Sequence, residues 1–280
     1  MHHVVTQNQS SHVKIHCDTT SPGPVTWKFN GADLEQVDFA YHQEQLDLMV
    51  EDVDQPMLGE YSCWRNGVEL SSTHLLEENV VNDEHFKSFL RCWAKSYDCH
   101  FSCEWNHSVY STVRLGLGSN CSQGLTSCQW VQSSHRTLKG KLHFDVAHHL
   151  TPFAEETDVL TLTVEAFADH YSILRRTRHF FLRDIIQPDS PDIVKCEEEG
   201  IALNVTIEPP SSWSRPHSFF QLEHEIEYVS RDNGEHGTTT SILIPQGVSR
   251  LRVRSRDPLV MSRWSHWSKW KNVTDALSCV

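Results

Sequence analysis

Histidine and cysteine offer this chain its widest range of chemistry, because both side chains can ligate metal and both can serve in catalysis. The 280 residues include 19 histidines, of which His135, His143 and the adjacent His148 and His149 form the densest group. No two of these four lie in a His-x-x-x-His pattern, and no two cysteines lie in a Cys-x-x-Cys pattern. We therefore expect neither a metal site nor a bound cofactor.

The stretch Gly116-Leu117-Gly118-Ser119-Asn120 is the other pattern that could indicate an active site. It lacks the third glycine of a dinucleotide-binding loop and the serine placement of a nucleophile elbow. No pair of acid and base residues can be assigned to a common cleft. The chain is therefore predicted not to be an enzyme.

Nine cysteines accompany five Asn-x-Ser/Thr sequons, the acceptor sites of N-glycosylation. Disulfides and N-glycans both form outside the cytosol, so the combination indicates an extracellular chain. No apolar run is as long as a membrane span and the first residues show no signal peptide, so we expect a secreted protein whose signal has been removed. The sequons begin at Asn8, Asn106, Asn120, Asn204 and Asn272.

Acidic residues are concentrated at the start of the chain. The net charge is −13, of which residues 1–80 contribute −10, residues 81–185 are balanced, and residues 186–280 contribute −3. Nucleic acid is excluded as a partner, because neutralising phosphates requires a basic face. The acidic first segment is expected either to steer a basic partner or simply to keep the protein soluble.

Tryptophan and arginine recur near the end of the chain with two different spacings. Three tryptophans occur at every third residue, the repeat of a polyproline II helix, and three arginines occur at every second residue, the repeat of a strand. Side by side, the two segments would form a cation–π ladder; a helix face, a core patch and a partner surface are the alternatives. The tryptophans are Trp264, Trp267 and Trp270, and the arginines are Arg252, Arg254 and Arg256.

Short alternating strands separated by turns are predicted for residues 1–80. A cysteine, a tryptophan, a tyrosine and a second cysteine follow there in the order of an immunoglobulin-type sandwich, where a disulfide joins the sheets across a buried tryptophan. Asn66-Gly67 predicts a two-residue hairpin turn. The four residues are Cys17, Trp27, Tyr61 and Cys63.

The strand pattern restarts near Val81 and again after Pro188-Asp189-Ser190-Pro191, where two prolines interrupt regular pairing. No helix is predicted in either part. We therefore predict an all-β chain: an immunoglobulin-like sandwich at residues 1–80, followed by two further sandwiches at residues 81–186 and 187–280.

Three stretches of sequence carry a resemblance to known proteins. Trp-Ser-His-Trp-Ser at residues 264–268 resembles the WSxWS box of class I cytokine receptors, which lies in their last fibronectin type III domain. Residues 180–189 and 213–220 resemble the interleukin-12 beta-subunit family, whose members are soluble, receptor-like chains. The resemblance covers almost all of the chain and implies that both later sandwiches are fibronectin type III domains.

The resemblance also implies how the cysteines pair. Thr151 stands where mammalian members have the cysteine that links a second subunit, so any interchain disulfide is expected at Cys99, with Cys121 as the second candidate. The implied intrachain pairs are Cys17 with Cys63 and Cys92 with Cys103, and the remaining candidate pairs are Cys121 with Cys128 and Cys196 with Cys279.

Members of this family carry a four-helix cytokine alpha subunit at the elbow of the two fibronectin domains, and their first domain contacts a cell-surface receptor chain. The resemblance implies the same partners here, with homodimers left open. A partner arginine would pair with one buried carboxylate between aromatic walls, and replacing that aspartate by alanine would weaken binding without disturbing the fold. The implied contact residues are Tyr97, Pro152, Phe153, Phe219 and Asp257.

A second interpretation is the soluble ectodomain of a membrane-bound class I cytokine receptor with the same three domains. Residues 180–189 favour the secreted subunit, and a transmembrane segment in the complete transcript would favour the receptor. In either case the Trp–Arg ladder is expected to brace the last domain, because the implied partner residues lie elsewhere. Its tryptophans have the Trp-x-x-Trp spacing of C-mannosylation sites in this family.

Overall fold

The computed structural model describes residues 3–6, 12–20, 23–169 and 171–273, and most of its regular structure is strand. The all-β prediction is therefore confirmed. None of the described helices is long and apolar enough to cross a membrane. In chain order the strands are β1 (His3–Thr6), β2 (Val13–His16), β3 (Thr26–Phe29), β4 (Ala32–Asp33), β5 (Tyr41–Glu44), β6 (Asp47–Val50), β7 (Gly59–Arg65), β8 (Val68–Glu78), β9 (Leu90–Trp93), β10 (His100–Trp105), β11 (Tyr110–Leu117), β12 (Trp130–Gln132), β13 (His135–Arg136), β14 (Leu142–Ala147), β15 (Leu160–Ala168), β16 (Ser172–Phe180), β17 (Asp192–Glu199), β18 (Ala202–Glu208), β19 (Glu223–Ser230), β20 (His236–Thr239), β21 (Leu243–Pro245), β22 (Val248–Arg256) and β23 (Lys271–Asn272).

The expectation that no helix follows Val81 is wrong at two short helices, the longer of which begins after Asn82. The Asn82 side chain accepts a hydrogen bond from the backbone N–H of His85 at 2.9 Å, which caps the helix N-terminus. Phe86 is buried and packs 6.3 Å from the Trp105 ring. The described helices are α1 (Asp83–Phe89) and α2 (Ser119–Ser122), with 3-10 turns at Leu34–Gln36, Gln55–Met57 and Leu182–Ile185.

The chain folds into two compact units, each built from segments that are distant in sequence. The three-domain division by chain order stays a prediction. The first unit consists of residues 1–90, 105–142 and 162–177, and the second consists of residues 91–104, 143–161 and 178–280.

The first unit contains a sheet of order β12-β11-β15-β16-β8-β7-β3-β4, with β1 parallel to β8, and a smaller sheet of order β2-β6-β5. Cys17 is bonded to Cys63, and Trp27 and Tyr61 are buried in the same core cluster. The Tyr61 hydroxyl donates to the Met57 carbonyl at 2.7 Å, which ties the corner before β7. These contacts are those of the predicted immunoglobulin-like sandwich.

The predicted hairpin at Asn66-Gly67 joins β7 to β8. Both residues have positive φ, 49° for Asn66 and 79° for Gly67. A two-residue turn with two positive φ angles matches the right-handed twist of the paired strands, and asparagine followed by glycine reaches it at least steric cost. The prediction is confirmed.

The second unit contains the sheets β14-β10-β9, β17-β18-β21 and β20-β19-β22-β23. In β22 the residues alternate: Leu251 and Val253 are fully buried in the core, while the arginines that alternate with them lie on the opposite face. The apolar period of this strand therefore fixes which way its arginines project.

Candidate partner-binding site

The loop of residues 94–99 between β9 and β10, termed the stapled loop, is closed by a disulfide. Cys92 and Cys103 are bonded, with Cα atoms 4.1 Å apart. The backbone N–H of Tyr97 donates to Ser214 Oγ at 3.1 Å, and its ring stacks on Phe220 with centroids 5.6 Å apart. The disulfide and these contacts hold Tyr97 against residues 213–220.

A buried carboxylate faces the Tyr97 hydroxyl. Asp257, just after β22, is 3% exposed, and its Oδ2 accepts from the Tyr97 hydroxyl at 2.7 Å. Its Oδ1 accepts from the backbone N–H of Leu259 at 2.8 Å. Within the described ranges no lysine or arginine forms an ion pair with this carboxylate, so hydrogen bonds alone offset its burial.

The ionisation of Tyr97 supports this arrangement. Burial raises the pKa of Tyr97, and the hydrogen bond to Asp257 raises it further. The hydroxyl therefore stays protonated near neutral pH and remains a donor to the carboxylate.

Three phenylalanines form an apolar wall beside this pair. Ring centroids are 5.7 Å apart for Phe153 and Phe219, 5.5 Å for Phe153 and Phe220, and 4.9 Å for Phe219 and Phe220. Phe220 is buried, but Phe153 is 61% exposed and Phe219 is 57% exposed. Two adjacent aromatic rings left open to solvent are typical of a contact surface.

All five residues that the resemblance implied for partner contact line one cleft of about 690 Å³. They come from the stapled loop, from residues 149–158 (termed the cleft loop), from residues 213–221, and from the turn that follows β22. The structure brings them together in the second unit, while their role in binding stays a prediction. They are Tyr97, Pro152, Phe153, Phe219 and Asp257.

The rim of the cleft is acidic. Glu156 accepts hydrogen bonds from the backbone N–H groups of Leu182 and Arg183, and it lies 3.6 Å from the Arg183 guanidinium, which ties the cleft loop to the turn after β16. Glu155 and Asp158 are exposed and form no ion pair among the described residues. The open charge of the rim is therefore negative.

Several residues of the cleft were not identified from sequence. Phe220 could have been suspected from the adjacent pair of phenylalanines, but no local signal marks Ser214 as the acceptor for Tyr97. Trp213 donates its indole N–H to the Phe220 carbonyl at 2.9 Å, which fixes the apolar wall from behind. Leu259, a position that the resemblance had already placed in this pocket, is 82% exposed and adds an apolar side chain to the cleft lining.

Among the described cysteines, one thiol is available. Cys121 is bonded to Cys128, which is the candidate pairing. The prediction of an interchain link through Cys121 is therefore wrong, because its sulfur is already bonded within the chain. Gly116 faces this bond, and an added Cβ would lie 2.6 Å from the Cys121 sulfur. Cys99 is free and exposed. Cys196 is disulfide-bonded, whereas Cys279 lies outside the described residues.

The predicted Trp–Arg ladder is present. Trp267 lies between Arg252 at 4.8 Å and Arg254 at 4.5 Å, measured from each guanidinium carbon to the ring centroid. The other members continue the alternation at 4.5 to 4.9 Å, with Arg250 as an additional terminal member. Three of the four arginines of β22 also pair with glutamates directly opposite on β19, as Arg252 does with Glu227 at 2.6 Å.

Serines attach residues 262–270, termed the tryptophan segment, to β22. Ser265 Oγ accepts from the backbone N–H of Ser255 at 2.9 Å, and Ser268 Oγ accepts from that of Val253 at 3.0 Å. Ser262 does the same for Asp257 at 2.9 Å. Each step of three residues along the tryptophan segment thus matches a step of two residues along the strand and the residue after it. The serines hold this register, a role that their spacing alone did not indicate.

The predicted glycosylation sites differ in exposure, and the histidines form no metal site among the described residues. No cluster of three or more metal-ligating side chains occurs in the part of the chain that is described. Asn106, Asn120 and Asn272 are exposed, whereas Asn204 is partly buried and donates to Glu199 at 2.8 Å. Asn8 lies outside the described residues. Glycosylation at these positions stays a prediction.

Comparison with known proteins gives matches along most of the chain. A family profile described as "Cytokine interleukin-12p40 C-terminus" matches residues 87–168. "Interleukin-12 subunit beta" of Bos taurus is 26% identical over 284 residues, covering 91% of this chain and 85% of the relative. The proteins of the same name from Marmota monax and Mesocricetus auratus are each 28% identical over 284 residues, with 91% of this chain covered.

Proposed function

We propose that the chain is a divergent homologue of interleukin-12 subunit beta. In that role it is the receptor-like subunit of a heterodimeric cytokine of the interleukin-12 or interleukin-23 type. Its partner is a four-helix alpha subunit that docks on the cleft. The heterodimer is secreted and engages a cell-surface receptor chain through residues 1–80.

The buried, uncompensated carboxylate of Asp257 is the observation that carries this proposal. A charge buried with hydrogen bonds but no counterion is expensive to maintain, and it is a favourable target for a cation from outside the chain. An arginine on the partner helix would add two N–H donors in a fixed geometry. Its aliphatic stem would pack on Tyr97 and Phe219, whose rings border the same cleft.

The apolar wall accounts for the rest of the interface. Phe153 and Phe219 each leave more than half of the side chain exposed, and covering that remaining surface with a helix would contribute about 1–2 kcal/mol per ring. The exposed carboxylates of Glu155 and Asp158 lie on the same loop as Phe153. A helix with a basic and apolar face fits this surface.

Co-expression with an interleukin-12-type alpha subunit tests the proposal. We expect a stoichiometric one-to-one complex in the culture medium, measured by size-exclusion chromatography with light scattering at neutral pH. An unrelated four-helix cytokine serves as the control partner and should not co-purify. Secretion of the two chains as separate species would contradict the proposal, and the chain expressed alone reveals whether two copies associate.

Cys99 is the proposed site of any covalent link to the alpha subunit. It is the free, exposed cysteine of the stapled loop, two residues from Tyr97. A partner cysteine near the docked helix could therefore reach it while the cleft is occupied. In this arrangement the disulfide adds to a contact that the cleft already makes.

A further inference from the structure

His148 is a buried histidine directly before the cleft loop. It directly follows β14, is 3% exposed, and donates its backbone N–H to the Cys99 carbonyl at 2.8 Å. Two residues later the chain turns into the segment that carries Pro152 and Phe153. The histidine therefore sits where the cleft loop departs from the sheet.

The ring of His148 holds the first part of that loop. Its Nδ1 accepts a hydrogen bond from the backbone N–H of Leu150 at 3.2 Å, and its face stacks on Phe101 with centroids 6.2 Å apart. The Nε2 atom is buried and has no hydrogen-bond partner among the described residues. An Nδ1 that accepts requires the neutral ring with its proton on Nε2.

The surroundings of the ring favour that neutral form. The groups that face it are the backbone of Asp98 and the side chain of His100 from the stapled loop and the strand after it, Glu156 from the cleft loop, and the neighbouring His149. Burial lowers the pKa of His148, and the two nearby histidines lower it further, while the Asp98 backbone and Glu156 act in the opposite direction.

We propose that neutral His148 is a positioning residue for the partner cleft, and that its protonation at acidic pH releases the cleft loop and weakens binding of the alpha subunit. A protonated Nδ1 would point a second donor at the Leu150 N–H, so this hydrogen bond must break. Phe153 then loses its fixed place opposite Phe219. The effect of protonation on partner binding rests on the proposed function, whereas its effect on the loop does not.

The direction of the pH dependence follows from proton uptake. A released loop exposes an ordinary histidine with a pKa of about 6.5, whereas the packed ring resists the proton. The packed loop is therefore fully favoured above about pH 6.5 and loses stability as the pH falls below that value.

Hydrogen exchange on the full chain alone tests the loop directly. Corrected for the chemical pH dependence of exchange, amides of residues 150–158 should exchange about three- to tenfold faster at about pH 5.5 than at about pH 7.4, the range for loss of one hydrogen bond. Amides of β22 serve as the reference and should not change. Equal protection of the cleft loop at both pH values would overturn the proposal.

Affinity for the alpha subunit tests the consequence. His148→Asn retains an acceptor near the Nδ1 position but cannot be protonated. When the pH is lowered from about 7.4 to about 5.5, the affinity of the wild type should therefore fall by a factor about three to ten times larger than the factor for this variant. His266→Gln, at an exposed histidine outside the cleft lining, should keep the wild-type pH profile.

The outcomes separate the two proposals. No binding of wild-type chain at neutral pH would refute the proposed function and leave the exchange result to decide on His148. A wild-type pH profile in His148→Asn would refute the positioning role even if the alpha subunit binds. If His148→Asn is not secreted, the exchange measurement on wild-type chain still supports or refutes the release of the loop.

Discussion

Asp257 has two roles within its own chain, which changes what a substitution there would reveal. Its carboxylate accepts from the Tyr97 hydroxyl and from the backbone N–H of Leu259. Alanine would leave both donors without an acceptor in a buried site, so the expectation that Asp257→Ala leaves the fold undisturbed does not suit this environment. Asparagine keeps the shape and an acceptor while it removes the charge.

Asp257→Asn is therefore the sharper test of the cleft. We expect the affinity for the alpha subunit to fall by about 2–5 kcal/mol, because a partner cation would lose its buried counterion. The measurement is surface plasmon resonance on purified chain, with thermal unfolding to confirm the fold. Asp189→Asn, which removes a partly buried carboxylate that pairs with Lys95 outside the cleft lining, is the matched control and should bind like wild type. Equal affinity of both variants would argue against the pocket.

Cys99→Ser tests the covalent link. Non-reducing electrophoresis of the co-expressed pair should lose its disulfide-linked band, while the two chains still co-elute at neutral pH because the cleft is intact. Persistence of the linked band in the variant would exclude Cys99. A wild-type pair without any linked band would show that this heterodimer is held by the cleft alone.

Among the elements, β22 is the one whose two faces serve different purposes. Leu251 and Val253 are fully buried in the core, and the arginines that alternate with them interleave with the tryptophan segment. The ladder lies outside the candidate cleft, which does not include any of its tryptophans in its lining. Its position agrees with a structural brace.

Trp267→Ala should lower stability much more than affinity. The indole lies between Arg252 and Arg254, so its removal deletes two cation–π contacts and leaves a gap in the stack, at a cost of about 2–4 kcal/mol in the free energy of unfolding. Chemical denaturation and secretion yield measure this. Lys269→Ala, an exposed change in the same segment, is the control. Wild-type stability with weakened partner binding would instead make the ladder an interface.

At the scale of the whole molecule, charge is distributed unevenly along the chain. Residues 1–80 carry a net charge of −10, close to the full −13 of the chain. Glu35 and Glu51 lie in this part, are exposed, and have no ion-pair partner among the described residues. Such a field accelerates encounter with a basic partner and is screened by salt.

We expect the association rate with the receptor chain to fall about tenfold between about 50 mM and about 300 mM salt. Reversal of charge at Glu35 and Glu51 to lysine should reduce both the rate and its salt dependence, with little effect on dissociation. Asp232→Lys combined with Glu198→Lys, two exposed reversals in the second unit that change the net charge equally, is the control. Salt-independent association would show that the acidic surface serves solubility alone.

Local pattern was sufficient for much of the fold. Alternation of apolar residues predicted the strands, Asn66-Gly67 predicted a hairpin, and two different periods predicted the ladder, because each depends on spacing within one or two neighbouring segments. Helix α1 was missed although Asn82 and the acidic residues after it form an N-terminal capping signal. Strand patterns on both sides of this short helix, in β8 and β9, mask that signal.

The candidate cleft could not be assembled from local pattern. Tyr97 and Asp257 are 160 residues apart in sequence and 2.7 Å apart in space, and only the family resemblance brought them together in advance. Neither the acceptor role of Ser214 nor the burial of Phe220 follows from local signals, because both depend on contacts with the distant stapled loop.

The sequence by itself determined which residues form strands and which faces of those strands are apolar, since a strand's side chains alternate whatever surrounds it. The tertiary structure alone decided which polar groups meet in the interior. A buried carboxylate, or a buried histidine such as His148, is defined by partners from distant segments, and those partners are set by packing rather than by spacing along the chain.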